Sequence, residues 1–181
     1  MNWIRNNLIL QSGSDTALIQ IKAFGAPRAL MLHLAMDSHF PRSFASLAAD
    51  YRSHLGRQAG LCARLERIAD SLPDQCDVQE CLYLAQSLGP VVKEAHAFEE
   101  KEVFPVLRVS GAAEMPSLTV TLERLGLEHM GDEVFADELT SALRDFASKR
   151  NTFGPETLSW MLRAFFEAMR RHLAFEQEYV L

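Results

Sequence analysis

Four histidines constrain this chain more than any other feature. His54, His96, His129 and His172 are spaced so that all four reach one level if the chain runs up and down as helices. In an antiparallel hairpin, residues equidistant from the turn lie at the same height. The midpoint of 54 and 96 is 75, inside a break, 73–77, that opens with Pro73. The midpoint of 96 and 129 is 112.5, inside the Gly- and Pro-bearing stretch 111–116. The midpoint of 129 and 172 is 150.5, at the start of the break 150–154.

The intervals between these breaks are rich in helix formers and carry helix signals at their ends. The spacing predicts helices over about 43–71, 77–109, 117–148 and 155 to the C-terminus. Asp77 and Glu80 make a capping box, in which each side chain satisfies an orphan N–H of the first turn. Pro155 suits a first helical position, and Pro105 is expected to bend or shorten the second helix. No segment alternates apolar and polar residues long enough to argue for a strand. The expected fold is therefore all-α: an antiparallel up-down four-helix bundle over residues 43–181. Residues 1–42 form an N-terminal helical extension, with a first piece capped by Ser14 or Asp15 and a second over 27–38. The formal charge of −6 is spread along the chain with no basic stretch, which sets nucleic-acid binding aside. No apolar run is long enough to cross a bilayer, and no signal peptide is evident, so a cytoplasmic location is expected. Cys62, Cys76 and Cys81 contain no C-x-x-C pair and are read as ordinary reduced thiols.

Each predicted helix has an apolar stripe at helical spacing, and one of the four histidines fills a gap in each. His54 falls between Tyr51 and Leu61, His96 follows Val92, His129 follows Leu125 and His172 follows Met169. Glu100 and Glu176 come four residues after His96 and His172, one turn on and on the same helix face. Six ionisable groups would thus share one buried layer. Unpaired charge there costs several kcal/mol or more, so such groups are normally paired or bound to metal. Ion pairs among the histidines and glutamates are the alternative to a metal. Imidazole and carboxylate donors without thiolate suit Fe, Mn or Zn. Two carboxylates able to bridge a pair of ions, with positions left open for a small ligand, favour an oxo- or hydroxo-bridged pair of irons. The expected ligands are His54, His96, Glu100, His129, His172 and Glu176. Glu133, one turn beyond His129, is open to four readings: a further ligand, an acceptor for a histidine N–H, a gate, or a solvated edge position. His39 fails the level test, since its midpoint with His96 is 67.5, inside a helix, and both His33 and His39 are read as structural or exposed.

The segments Tyr51-Arg-Ser-His54, His96-Ala-Phe-Glu-Glu100-Lys-Glu-Val-Phe-Pro105, Glu128-His129 and His172-Leu-Ala-Phe-Glu176 resemble the hemerythrin-like (HHE cation-binding) family. The resemblance implies a di-iron four-helix bundle. Glu133 stands where oxygen-carrying hemerythrins have a fifth histidine, and the pattern looks closest to the di-iron proteins of iron–sulfur cluster repair. Residues 1–53 contain no cysteine, unlike the N-terminal domain usual in those repair proteins.

The functional expectation is a di-iron protein that binds or reacts with O2, NO or peroxide in sensing, stress response or iron handling. No acid–base pair outside the metal shell argues for a dedicated enzyme. The alternative is an interaction module whose metal is structural or lost. Leu30, Met31, Leu34 and Met36 would then offer apolar surface to a partner or to a second copy of the chain.

Overall fold

The computed structural model of the protein describes residues 8–11, 18–21, 43–111, 116–150 and 154–180. The bundle is built from α1 (Phe44–Ser71), α2 (Val78–Phe98), a π-helical turn (Glu99–Val103), α3 (Phe104–Gly111), α4 (Pro116–Ala147) and α5 (Pro155–Tyr179). α2, the π turn and α3 continue one another, so the expected four rods are present. α1 packs on α2 and α5, and α4 packs on the same two, which closes a four-sided bundle.

The ends follow local chemistry. The Ser43 hydroxyl accepts from the Ser46 amide, and Asp77 accepts from the amides of Gln79 and Glu80, so both side chains relieve orphan N–H groups. Pro155 opens α5 behind Gly154. The irregularity expected near Pro105 lies just ahead of it. The Phe104 amide donates to the Glu99 carbonyl five residues back, which defines the π turn. Pro105 has no N–H for the Lys101 carbonyl, so the helical ladder is already interrupted here. Pro90 inside α2 likewise leaves the Gln86 carbonyl without its usual donor, and Arg144 of α4 reaches the neighbouring Ala85 carbonyl at 3.2 Å. Gly89 lets α2 and α4 approach closely there, since a Cβ would stand 3.3 Å from Asp137 Oδ1.

The core is an apolar column that includes Leu65, Leu84, Leu88, Leu125, Leu139, Leu143 and Leu162, all fully buried. Burying each such side chain stabilises the fold by about 1.5–3 kcal/mol. The site described below interrupts this column, with Leu65, Leu84, Leu88, Leu139, Leu143 and Leu162 on the side of the α1–α2 turn and Leu125 on the other.

The N-terminal extension differs from expectation where it is described. Leu8–Gln11 and Leu18–Ile21 pair as a short antiparallel hairpin, with Leu8 opposite Ile21 and Gln11 opposite Leu18. Ile9, Ile19 and Ile21 are β-branched and favour the pleated surface, and this local pairing displaces the short helix expected after Ser14 or Asp15. Ser14, Asp15, His33, His39 and the apolar residues of 27–38 lie outside the described residues.

Candidate metal centre

The four rods bring six side chains to one interior slice: Tyr51 from α1, His96 from α2, Glu99 from the π turn, His129 from α4, and His172 and Glu176 from α5. All are at most 6 % exposed. The His96 and His129 rings stack at 4.0 Å with 5° between their planes, and His172 lies tilted 5.2 Å from His129. Donor atoms of His96, His129 and His172 all fall within 4.8 Å of one another, as do those of Glu99, His129, His172 and Glu176.

The slice is a set of ligand-type donor atoms facing each other. His129 Nε2 is 3.1 Å from Glu99 and His172 Nε2 is 3.4 Å from Glu176, but neither contact is aligned as a hydrogen bond. The buried side-chain polar atoms without a partner among the described residues are almost all here. They are the Tyr51 hydroxyl, His96 Nε2, His129 Nε2, both His172 nitrogens and all four carboxylate oxygens of Glu99 and Glu176. Gln58 and Thr140 supply the remainder. Buried polar groups are nearly always satisfied, so this concentration marks a place built around something else.

The outer nitrogens of the rings explain how the inner ones are aimed. His96 Nδ1–H donates to Glu133 at 3.3 Å, and His129 Nδ1–H donates to Glu100 at 2.8 Å. His172 Nδ1 faces Glu128 at 3.5 Å and Asp132 at 3.8 Å. A carboxylate on the outer N–H fixes the tautomer and leaves the Nε2 lone pair pointing inward, the arrangement typical of metal-bound histidine.

Electrostatics agree. Burial, reinforced by His129 and His172, lowers His96 to about 2, so its imidazole is neutral. Burial and the adjacent Glu176 raise Glu99 to about 10, because two carboxylates held side by side cannot both ionise without a cation. Burial and the same two carboxylates push the Tyr51 phenol far upward. Burial pulls His172 down, but Glu176 outweighs it and the net shift is upward. A cation in the slice would reverse the strain on both carboxylates and occupy the inward lone pairs, so the residues present fit a metal.

Of the residues read from the sequence, the structure brings His96, His129, His172 and Glu176 together. It places Glu100 and His54 outside the group. Glu100 is half-exposed and bonds the outer face of His129, while Glu99 occupies the inner position. His54 stacks on Phe98 at 4.6 Å, and its Nδ1 accepts from Arg57 at 2.7 Å. Burial first, and then the Arg57 charge, lower its pKa. Glu133 takes the position of an acceptor for a histidine N–H, one of its four readings. Sequence reading missed Glu99, Glu128 and Asp132. The signal for Glu99 was present: three turns of 3.6 residues beyond Leu88 end at about residue 99. The same line along α4 runs from Leu125 through Asp132 to Leu143.

Fold and slice together define a four-helix bundle with a buried imidazole–carboxylate cluster of the metal-binding kind. Residues 40–181 match the family model of the hemerythrin HHE cation binding domain, and the chain belongs to that family. Comparison with curated proteins and with solved structures gave no match.

Proposed function

We propose that the chain is a non-haem di-iron protein that binds or reacts with a small ligand, O2, NO or peroxide. The observation that carries this reading is the convergence of three inward imidazole nitrogens and two paired carboxylates with no bonding partner of their own. Nitrogen and oxygen donors without thiolate favour iron, with manganese and zinc as the competitors. His96, His129 and His172 would be terminal ligands through Nε2. Glu99 and Glu176 have two open oxygens each and suit a bridging role. The bound irons would supply the redox chemistry and the open positions for the small ligand.

The chain's own residues then have definite tasks. Glu133 and Glu100 hold the His96 and His129 rings in orientation from outside, and Glu128 and Asp132 face the outer nitrogen of His172. Phe104, stacked 5.7 Å from His129, keeps water from that side. The Tyr51 hydroxyl is a neutral donor in the slice, placed to hydrogen-bond a ligand or Glu176. His54 is the expected ligand least prepared for the role, because Arg57 already occupies its Nδ1. The reading includes a cytoplasmic location; no described helix is long and apolar enough to cross a membrane. Likeness to the repair proteins makes NO the first ligand to try.

Metal analysis of the purified chain, with absorption spectra before and after reduction and exposure to O2 and NO, tests this. About two irons per chain is the expected ratio for these donors. A ratio near one would retain the centre and retire the bridge. A colourless, metal-free protein that takes up no iron would retire the whole reading in favour of an interaction module.

A further inference from the structure

A second reactive group sits in the α1–α2 turn, away from the metal layer. Cys76 is half-buried just ahead of the Asp77 cap, and Cys81 is fully buried in the first turns of α2. Their sulfurs are 3.3 Å apart. Cys81 precedes His96 by fifteen residues, which at 1.5 Å per residue separates the two sites by about 22 Å along the helix. Cys62 is buried elsewhere on α1.

We propose that Cys76 and Cys81 are a redox site that closes to a reversible intramolecular disulfide under peroxide oxidants. The sulfurs need to approach by only about 1.2 Å to reach bonding distance, close to 2.05 Å. Cys76 follows the irregular residues of the turn, where the backbone has room for that movement, while Cys81 is fixed in the helix. The two thiols are unequal, as such a reaction requires. Burial, and then the contact with Cys76, raise the Cys81 pKa. Cys81 therefore keeps its proton, while Cys76, half-buried at the turn, is the sulfur that an oxidant reaches more readily.

The chemistry balances with hydrogen peroxide as oxidant. Cys76 attacks one peroxide oxygen as its thiolate, the O–O bond breaks, Cys76 becomes a sulfenic acid, and the hydroxide that leaves takes up the proton lost by the thiol to give water. The Cys81 sulfur then displaces the sulfenic hydroxyl, forming the S–S bond and releasing a second water. Two thiols are oxidised by two electrons, and the peroxide is reduced. The product ties the turn to α2, the rod that carries His96.

The test uses the full metal-loaded chain, treated with hydrogen peroxide or with diamide, which oxidises thiols without iron chemistry. Free thiols are then alkylated and digested without reduction. Trypsin leaves both cysteines in one peptide, residues 68–93. The expected result is loss of two of the three thiols, with peptide 68–93 unalkylated, lighter by two hydrogens and restored by dithiothreitol. Cys62→Ser should leave this unchanged. Cys76→Ser, at the more exposed position, should abolish it, and Cys81→Ser should yield a sulfenic acid on Cys76 that dimedone traps. Full alkylation of both cysteines after diamide, or a cross-link only between chains, would overturn the proposal.

Discussion

Exchanging Glu99 and Glu100 for leucine, one at a time, should give opposite results. Glu99 is fully buried and neither carboxylate oxygen has a hydrogen-bond partner. In the metal-free protein it is a desolvated polar group with no compensation, which costs about 1–3 kcal/mol. Leucine of similar size removes that term and adds apolar burial. Replacing buried ionic groups by apolar ones of matching volume typically stabilises by about 1–4 kcal/mol. Taking about 2–3 kcal/mol, and about 2–4 °C per kcal/mol for a chain of this length, metal-free Glu99→Leu should melt about 4–12 °C above metal-free wild type. Glu100 has a 48 % exposed side chain bonded to His129. Its loss removes one hydrogen bond, about 0.5–1.5 kcal/mol, so metal-free Glu100→Leu should melt slightly lower.

Metal reverses the order. A hundredfold excess of free metal over Kd stabilises the binding-competent fold by about 2.7 kcal/mol. Wild type should show that shift, Glu100→Leu a reduced one, and Glu99→Leu almost none. Calorimetric melts of chelated and anaerobically iron-loaded samples, with metal content measured alongside, read all six states. If Glu100→Leu loses the metal shift while Glu99→Leu keeps it, the inward carboxylate has been wrongly assigned. If both variants keep the full shift, the slice is not the binding site.

Other consequences are simpler to state. Glu133→Ala should weaken metal binding about 10–100-fold by freeing the His96 ring while leaving the circular dichroism spectrum unchanged, and a competition titration would reveal any smaller effect. Tyr51→Phe removes a buried hydroxyl without a partner, so the metal-free melting point should hold or rise; a fall would show a hydrogen bond that the geometry lacks. The metal-free protein should be most stable between about pH 4.5 and 6.5. Below that window the unfolded chain binds a proton that folded His96, lowered to about 2, refuses, so stability falls with falling pH. Above it the fold retains protons on Glu99, raised to about 10, and on His172, also raised, that the unfolded chain gives up, so stability falls with rising pH. Each such group contributes about 1.4 kcal/mol per pH unit, and a stability maximum at pH 8 or above in urea titrations would contradict the assignment. Leu88→Ala, at a fully buried position remote from the ligands, should destabilise by about 2–5 kcal/mol without changing the metal ratio.

The bundle was legible because helical periodicity and turn residues repeat over long intervals. Pro73, the Asp77 cap and Pro155 each mark a boundary within a residue or two of where the helices break. The level of the site was legible for the same reason, since equal spacing about three turns is a property of the whole hairpin and survives small errors in phase. The choice between adjacent residues was not. An H-x-x-x-E spacing selects Glu100 over Glu99, yet the buried line through Leu88, Val92 and Ala95 leads to Glu99. On α1 a full turn from Tyr51 falls between His54 and Leu55, so Tyr51 owns the centre of the face and His54 its flank. A single pair of residues fixes helix phase to within a flank, whereas the whole stripe fixes its centre. The pairing of Glu128 and Asp132 with His172 was illegible for a different reason: both face that ring across a helix interface, and no spacing within one helix reports which ring a carboxylate meets. The N-terminal hairpin was missed because four-residue strands are too short for period-two patterning to stand out.

The most direct test of the metal centre is an anomalous difference map from crystals of the iron-loaded chain, collected on both sides of the iron absorption edge. Density within bonding distance of Nε2 of His96, His129 and His172, and of the Glu99 and Glu176 carboxylates, is the predicted result. An iron peak bonded instead to His54 and Glu100, or no peak in the slice of a protein that holds iron in solution, would contradict it.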